Sequence, residues 1–289
     1  MGRCRESLLL LRGLFQRKHD PGAFYDLLGS HNNLCEQSLY NNFGYWETAR
    51  TYDEAGEAMA AVVADRLQLD ANARILDAGC GFADQDMFWI RRYGYREIQA
   101  VNISPSQVAR AGERVAAAGL AGRVKLVLAS ATALPFPDAS FDGVVSVEAA
   151  LHFDTRDRFF REAARVLRPG GRLVVADNAS MTPVATWPLP VRLMARVMWH
   201  WMQIPAGNIY PADEYGRRLQ AAGFRNVAIT SIRDQVYPGY SACILRNLAK
   251  PEIRHRVNPI LRLMWRAMAR SEAAHRNDNL DYIVAAATR

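Results

Sequence analysis

The chain has 289 residues, of which 50% are hydrophobic and 22% are charged. This balance excludes an intrinsically disordered chain, and the length is sufficient for one large domain with a full core of its own. Thirty-six basic residues against 29 acidic ones give a net charge of +7, which is compatible with an anionic substrate or a membrane surface but does not indicate nucleic acid.

The amino-terminal sequence MGRCRESLLLLRGLF predicts a short amphipathic helix, because its apolar run is too short for a membrane span or a signal peptide. The four cysteines lie far apart and form no CxxC pair, so neither a disulfide framework nor a metal site is expected. They are Cys4, Cys35, Cys80 and Cys243. This cysteine usage is typical of a reducing compartment, and we predict a cytoplasmic protein.

The middle of the chain, from about residue 73 to residue 178, alternates strand-like and helix-like patterns. Five apolar runs predict strands, at residues 73–77, 98–103, 124–128, 141–147 and 173–177. Helical patterns lie at residues 106–119, 157–167 and 211–223, and two closing strands are predicted at residues 227–232 and 282–287. The alternation predicts an α/β fold: a doubly wound, Rossmann-like sheet of seven mostly parallel strands with helices on both faces.

Three stretches fall outside this alternation. We interpret residues 1–70 as an N-terminal helical lid, and residues 71–289 as the main domain with lid insertions at about 179–210 and 235–278. The two insertions hold four of the six tryptophans and six of the nine methionines, which favours a pocket for a lipophilic molecule, although the same side chains could simply dock the helices. Arginines spaced four apart, at Arg192/Arg196 and Arg262/Arg266/Arg270, are either a solvated face or a contact to a membrane or an acidic carrier protein.

A glycine-containing turn follows the first strand and reads Asp77-Ala78-Gly79-Cys80-Gly81. In an open parallel sheet, ligands bind at the carboxyl ends of the strands, and a residue without Cβ lets the backbone approach the ligand closely. Taken alone, the turn indicates either a nucleotide-type site or only a tight strand-to-helix connection.

Four motifs recur in order after this point, namely LDAGCG, VNIS, ALPFPDASFD and VLRPGG. With them the segment resembles the class I S-adenosylmethionine-dependent methyltransferases, in the small-molecule branch that includes sugar, sterol and cyclopropane-fatty-acid methyltransferases. The dinucleotide fingerprint GxGxxG is absent, because Asp84 stands where its third glycine would be. The resemblance implies S-adenosylmethionine as the cofactor.

The resemblance also implies roles for individual residues. Asp77 would lie near the methionine amino group, and Ala78, Gly79, Cys80 and Gly81 would form the bed of the methionine part. Near the ribose it implies Asn102, Ile103 and Gln107, and near the adenine Ser130 and Ala131. The aromatic rings of Tyr40 and Tyr45 would pack over the cofactor, unless they only anchor a helix to the core. Asn102 replaces the acidic residue that is common at the end of the second strand, so it can still form hydrogen bonds but carries no charge.

The chemistry is expected just after the fourth and fifth strands. His152 is predicted to be a general base or a group that positions the acceptor, with helix capping as the alternative. Glu148 could orient His152, contact the cofactor, or be only a satisfied carboxylate at a strand end. Asp177 would lie beside the substrate, unless it has a purely structural role.

The sequence after the fourth strand, VEAALHF, lacks the Asn/Asp-Pro-Pro-aromatic run of methyltransferases that act on bases in DNA, so no nucleic-acid substrate is expected. We therefore predict an enzyme that methylates oxygen or carbon of a lipophilic small molecule, in secondary or lipid metabolism. Two alternatives stay open. One is a cofactor-binding partner subunit without activity, and the other is a membrane-surface enzyme that acts on acyl or polyprenyl lipids.

Overall fold

A computed structural model describes residues 3–13, 19–273 and 279–289. Seven strands form a single sheet in the order β3-β2-β1-β4-β5-β7-β6. The strands are β1 (Arg74–Ala78), β2 (Glu97–Asn102), β3 (Val124–Leu128), β4 (Phe141–Val147), β5 (Leu167–Ser180), β6 (Arg225–Ser231) and β7 (Leu280–Thr288). The first five are mutually parallel, whereas β7 runs antiparallel to both of its neighbours. The predicted fold class is confirmed.

The helices of the described residues connect and flank these strands. They are α1 (Arg3–Arg12), α2 (Pro21–Leu28), α3 (Tyr52–Leu67), α4 (Asp84–Tyr93), α5 (Pro105–Ala117), α6 (Arg156–Val166), α7 (Leu189–Trp201), α8 (Ala212–Ala221), α9 (Arg233–Asn247), α10 (Pro251–Arg256) and α11 (Pro259–Ala273). Most of the predicted boundaries lie within a few residues of these. No helix in this part of the chain is long and apolar enough to cross a membrane.

The strand β5 is the largest departure from the predicted lengths, because it extends from Leu167 to Ser180 rather than over residues 173–177. Antiparallel pairing with β7 continues from Arg172 opposite Thr288 to Ser180 opposite Leu280. The residues beyond 177 therefore satisfy their backbone groups in the sheet, and the following insertion begins only after Ser180. Partner strands distant in sequence determine this length, and local periodicity does not report them.

Two apolar layers pack on the two faces of the sheet. Alternating strand residues separate to the faces: Ile75 and Val145 pack with helices α3 and α4, whereas Leu76 and Val144 pack with α6 and α8. All four of these side chains are buried. Covered on both faces, the central strands hold the carboxyl edge of the sheet rigidly, and this is the edge at which a site is expected.

The remaining helices form two smaller apolar clusters. Helices α1, α9, α10 and α11 share one cluster, which includes Leu10, Tyr240 and Leu261. Helix α7 belongs to another through Trp199 and is otherwise mostly exposed. Four apolar side chains of α7 are between 52% and 67% exposed, namely Leu189, Leu193, Met194 and Val197. The role of these helices as lids stays a prediction.

Candidate functional site

A cleft with a volume of about 330 Å³ opens at the carboxyl ends of β1, β2 and β4. Its floor is the turn after β1, and the segments 19–21 and 39–42 cover it from the amino-terminal side. The order of the strands changes direction between β1 and β4. Ligands bind at such a switch point in open α/β sheets.

The glycine turn offers bare backbone to the cleft. Gly79 and Gly81 both have positive φ, +97° and +56°, and the Gly79 and Cys80 amides donate to the Val101 carbonyl at 2.9 and 3.1 Å. A Cβ on Gly79 would overlap the Cβ of Ala149 after β4. Glycine at position 79 is therefore required by packing as well as by backbone conformation.

An amide pair lies at the end of β2. The Asn102 side chain donates to Oε1 of Gln107 at 2.8 Å and to the Gly81 carbonyl at 3.2 Å, and it accepts from the Ser104 amide. Ser104 in turn caps α5 by accepting from the Gln107 amide. These hydrogen bonds fix the end of β2, the start of α5 and the glycine turn to one another. The polar groups that these segments present to the cleft carry no charge.

Two buried carboxyls, Asp77 on β1 and Asp86 on α4, lie behind the turn and do not line the cleft. Burial raises the pKa of Asp77 to about 7, although a hydrogen bond from Gln85 at 2.7 Å lowers it. Burial and the negative charge of Asp77 raise the pKa of Asp86 well above its usual range. A proton shared by the two carboxyls removes their repulsion.

Glu148 ends β4 at the cleft wall, with a positive φ of +52°. Its Oε1 accepts from the Tyr282 hydroxyl at 2.6 Å and from the Phe43 amide at 2.5 Å. Burial raises the pKa of Glu148 to about 8, outweighing these two hydrogen bonds, and the charge of Asp177 raises it further. The carboxyl is therefore mostly protonated at neutral pH.

His152 lies at the outer end of the cleft and is buried. Because the Gln203 carbonyl, 3.4 Å from Nδ1, can only accept, we assign the ring proton to Nδ1. The Nε2 atom then accepts from the Tyr25 hydroxyl at 2.9 Å. Burial lowers the pKa of His152 to about 4, so the ring is neutral and able to accept a proton.

A buried ion pair holds the segment that carries His152. Arg156 and Asp177 are both fully buried and lie 2.9 Å apart. Burial lowers the pKa of the Arg156 guanidinium, but the Asp177 carboxylate outweighs this and raises it overall. Arg156 also donates to the carbonyls of Asn178 and Asn208, and the Asn208 amide donates to the carbonyls of Leu151 and Phe153 on either side of His152.

Asp177 therefore does not lie beside the cleft, contrary to the sequence-based expectation. Its carboxylate compensates the charge of Arg156, and we assign it a positioning role that acts through Asn208 on the backbone around His152. The same network packs Arg156 against the rings of Tyr210 and Tyr215, each 5.1 Å from the guanidinium carbon.

Most of the other predicted site residues come together. The cleft is lined by Tyr40, Gly79, Cys80, Gly81, Asn102, Ile103, Gln107, Ser130, Ala131, Glu148 and His152. Asp77 and Ala78 lie beneath the turn, because their alternating side chains enter the core. Tyr45 lies outside the cleft, where its hydroxyl donates to Glu47 at 3.1 Å and its amide donates to the Ala55 carbonyl.

A second cavity of about 450 Å³ adjoins the cleft and shares His19 and Asp154 with it. Helix α7 supplies one wall through Arg196, Trp199 and His200. Gln203 also lines this cavity, and its carbonyl contacts His152 of the cleft. The Gln203 carbonyl accepts from His19 at 2.9 Å, and its side chain accepts from the Asp20 amide at 2.8 Å. The amino-terminal segment and the insertion after β5 are thus joined at this boundary.

Sequence reasoning missed Tyr25, Gln203, Arg156 and Asn208. Each acts through a contact with a residue at least 22 positions away in the chain, and none belongs to a local motif. The pattern PGAFYD after Asp20 predicts a helix start, but nothing in it reports that Tyr25 reaches His152.

Comparisons with known proteins agree with this geometry. The family model described as a methyltransferase domain matches residues 76–175. Erythromycin 3''-O-methyltransferase of Saccharopolyspora erythraea is 30% identical over 271 residues, which cover 92% of this chain and 88% of that protein. The 27-O-demethylrifamycin SV methyltransferase of Amycolatopsis mediterranei is 34% identical over 76% of this chain and 77% of its own length.

Among solved structures, the [4+2]-cyclase SpnF superposes with a TM-score of 0.73. It is 26% identical in sequence, and the match covers 93% of this chain and 95% of that one. The fold and its helical additions are therefore shared over nearly the whole length.

The buried ion pair generates a stability prediction. Replacing Asp177→Asn leaves the Arg156 cation buried without a counter-charge, so we expect the free energy of unfolding to fall by about 3–5 kcal/mol. Urea denaturation followed by circular dichroism measures this loss. The matched control is Asp138→Asn, which removes a carboxylate that is 74% exposed and pairs with Arg165; it should cost less than about 1 kcal/mol. Equal losses for the two variants would contradict the assignment.

The paired carboxyls behind the turn generate a second prediction. Because the pKa values of both are raised in the folded state, the unfolded chain loses these protons first, and stability falls as pH rises above about 4 toward about 7. Asp86→Asn removes one acid and lets the new amide donate to Asp77. We expect it to increase the free energy of unfolding by about 2 kcal/mol near pH 8, with the gain shrinking toward pH 4. A gain independent of pH would point to packing instead.

Proposed function

The chain belongs to the S-adenosylmethionine-dependent methyltransferases, and on this premise we propose that it methylates a hydroxyl oxygen of a large, lipophilic small molecule of secondary metabolism. The observation that carries the proposal is the position of His152. Its neutral ring lines a cleft suited to the cofactor, and its Nδ1 lies 3.4 Å from the carbonyl of Gln203, a residue that lines a second cavity suited to an acceptor.

The residues of the cleft fit S-adenosylmethionine. The glycine turn offers a bed without Cβ atoms for the methionine part, and the amides of Asn102 and Gln107 suit ribose hydroxyls. Ile103, Ala129 and Ala131 offer apolar surface for a flat ring. Glu148 adds a carboxyl with no arginine, lysine or histidine paired to it in the described part of the chain, which suits a cationic ligand.

S-adenosylmethionine supplies an electrophilic methyl group on a sulfonium sulfur when bound. His152 would accept the proton of the acceptor hydroxyl at Nε2, in place of the hydrogen bond from Tyr25. The Gln203 carbonyl keeps the other ring proton on Nδ1 and so keeps Nε2 free to accept. The Asn208 network holds the backbone on either side of the ring, and alignment of this kind supplies much of the rate enhancement in displacement reactions.

The second cavity supports an acceptor larger than the space beside the cofactor. Trp199 and Ile204 present apolar surface there, while Arg196, His200 and Asp154 can bind polar substituents. The named relatives act on erythromycin and rifamycin SV precursors, and both are methyltransferases that act on oxygen. These points support an O-methyl product over a C-methyl product.

The test uses the full chain with S-adenosylmethionine carrying a labelled methyl group and a panel of lipophilic hydroxylated natural products. Mass spectrometry and the carbon chemical shift of the transferred methyl distinguish an O-methyl from a C-methyl product. An O-methyl product supports the proposal, and a C-methyl product overturns the choice of atom. Binding of the cofactor without turnover would favour the partner-subunit alternative, or a role like that of the cyclase neighbour.

A membrane-surface role remains the second alternative, and α7 is the feature that favours it, with Leu193, Met194 and Val197 exposed beside Arg192 and Arg196. Sedimentation with anionic vesicles tests it, because charge reversal of both arginines should then abolish the sedimentation. The O-methyl proposal expects product formation without vesicles, and a strict need for them would contradict it.

His152→Ala tests the proposed base. We expect the turnover number to fall by about 10²–10⁴-fold, because proton transfer at the acceptor oxygen is lost, while cofactor affinity changes less than about twofold, within the scatter expected for a group that the cofactor does not need. Stopped assays with labelled cofactor and calorimetric titration measure the two quantities.

Two further readouts accompany this variant. Tyr25→Phe keeps the ring that packs edge-on against His152 and removes only the hydroxyl, which the acceptor replaces at Nε2, so its loss of turnover should be much smaller than that of His152→Ala. In the wild type, activity should be lost in acid as the pH falls through about 4, not near the ordinary value for histidine, because burial lowers the pKa of His152. An unaffected rate in His152→Ala would reduce the residue to a structural role.

Gly79→Ala tests the cofactor bed. The added methyl would overlap Ala149 and displace the turn, so the dissociation constant of S-adenosylmethionine should rise at least about tenfold, which is about 1.4 kcal/mol. Gly119→Ala is the matched control, since Gly119 also has positive φ but has no atom within 4 Å of the new Cβ. It should lose stability without losing affinity. Adding Ala149→Gly to the Gly79→Ala variant removes the overlap but not the unfavourable φ, so it should restore binding in part, and no recovery at all would contradict the packing argument.

A further inference from the structure

Glu148 is a buried acid that the methyl-transfer mechanism above does not use. It is only 9% exposed, and that exposure faces the cleft. Its one engaged oxygen accepts from Tyr282 and from the Phe43 amide, both neutral donors. In the part of the chain that the structure describes, no ion pair includes Glu148, whereas the buried Asp177 nearby has Arg156. The Glu148 carboxyl therefore has hydrogen-bond donors, but among the described residues it has no positively charged partner.

Two neutral donors, the Tyr282 hydroxyl and the Phe43 amide, favour a negative charge on Glu148, but burial and the negative charge of Asp177 oppose it more strongly. The titratable side chains that interact with it come from five elements: Tyr25 on α2, Tyr52 on α3, Asp177 on β5, Tyr240 on α9 and Tyr282 on β7. None of them is a cation. Among the described residues no cation provides a counter-ion for a Glu148 carboxylate, so a cationic ligand in the cleft would supply the missing positive charge.

The methionine bed lies directly beside this carboxyl. Glu148 precedes Ala149, whose methyl group is in contact with the backbone of Gly79, and the Glu148 amide is fixed by donating to the Ala176 carbonyl at 2.8 Å. Phe43, which donates to the carboxyl, follows the segment 39–42 that covers the same cleft. The carboxyl therefore borders the bed, the strand edge and the covering segment at once.

We propose that Glu148 is the cofactor's counter-ion: it gives up its proton when the sulfonium cation of S-adenosylmethionine binds, and takes a proton back when the cofactor has become neutral S-adenosylhomocysteine. This proposal rests on the proposed cofactor site. It gives the protein a way to distinguish the charged substrate from the neutral product, two molecules that differ by one methyl group.

Atoms and charges balance over the cycle. Binding of the cation releases one proton from the Glu148 carboxyl to solvent. In the transfer step the bond from sulfur to methyl carbon breaks, the bond from acceptor oxygen to that carbon forms, and the sulfur keeps the electron pair and becomes neutral. The acceptor loses its hydroxyl proton, and one proton returns to Glu148. The site thus holds a compensated pair before the reaction and two neutral groups after it.

Calorimetric titration in two buffers of different ionisation enthalpy measures the released protons directly, without any acceptor. Since the pKa of Glu148 is about 8 in the free protein, binding of S-adenosylmethionine near pH 7 should release about 0.9 proton more than binding of S-adenosylhomocysteine. The homocysteine compound carries the same amino and carboxyl groups and so cancels their contribution. Between about pH 8.5 and about pH 6.5, the dissociation constant of S-adenosylmethionine alone should rise at least about tenfold.

Glu148→Gln keeps the size of the side chain and its ability to accept from Tyr282 and Phe43, but it cannot ionise. In this variant the excess proton release and the pH dependence should disappear, and the preference for the cation over the neutral product should fall about tenfold or more near pH 8.5. Glu57→Gln is the matched control, because burial also raises the pKa of Glu57, which lies on α3 outside the cleft. It should leave all three readouts unchanged.

The outcomes separate the two levels of the proposal. If neither compound binds, the proposed cofactor site fails. If both bind with equal proton release, or if Glu148→Gln retains the excess release, the site stands and the counter-ion role of Glu148 is overturned. An unchanged dissociation constant of Glu148→Gln for S-adenosylhomocysteine shows that the variant is folded and that the comparison is valid.

Discussion

The position of His152 at the cleft depends on one buried cation. Arg156, the first residue of α6, is fully buried, and the Asp177 carboxylate compensates its charge there. Because its other donors hold Asn178 and Asn208, and Asn208 holds the carbonyls on either side of His152, an ion pair in the core determines where an imidazole points at the surface of the sheet. Such pairs contribute little net stability, but breaking one is costly because it leaves an uncompensated buried charge.

Buried acids are treated in two opposite ways in this molecule. Asp177 has a cation of its own, whereas no cation among the described residues pairs with Asp77, Asp86 or Glu148, and the pKa values of these three are raised. The uncompensated acids all lie around the turn after β1, where the family places a positively charged cofactor. These unpaired carboxyls lower the stability of the ligand-free protein near neutral pH. Binding of a positively charged ligand can offset that loss of stability.

The sequence allowed the sheet and the floor of the cleft to be predicted because their signals are local. A buried strand, a turn with two glycines and a capped helix follow one another within about 30 residues. Gly79, Gly81, Asn102 and Gln107 do line one cleft in the structure. The sequence motifs predict that Asp77 and Tyr45 reach the cleft. In the structure, the alternation of side chains along β1 places Asp77 in the core, and the hydrogen bond to Glu47 holds the Tyr45 hydroxyl outside the cleft. Tyr25, Gln203 and Asn208 could not be found, since each acts across a long stretch of chain and only folding brings them to His152.

Helix α7 contributes few buried side chains apart from Trp199 and Trp201, yet it supplies a wall of the second cavity. Changes along its exposed face therefore alter no packing in the sheet and leave the Arg156 network untouched. The residues proposed to serve methyl transfer therefore lie apart from the α7 residues proposed to contact the acceptor. New acceptor preferences can arise by substitution in a single peripheral helix, at little thermodynamic risk to the rest of the fold.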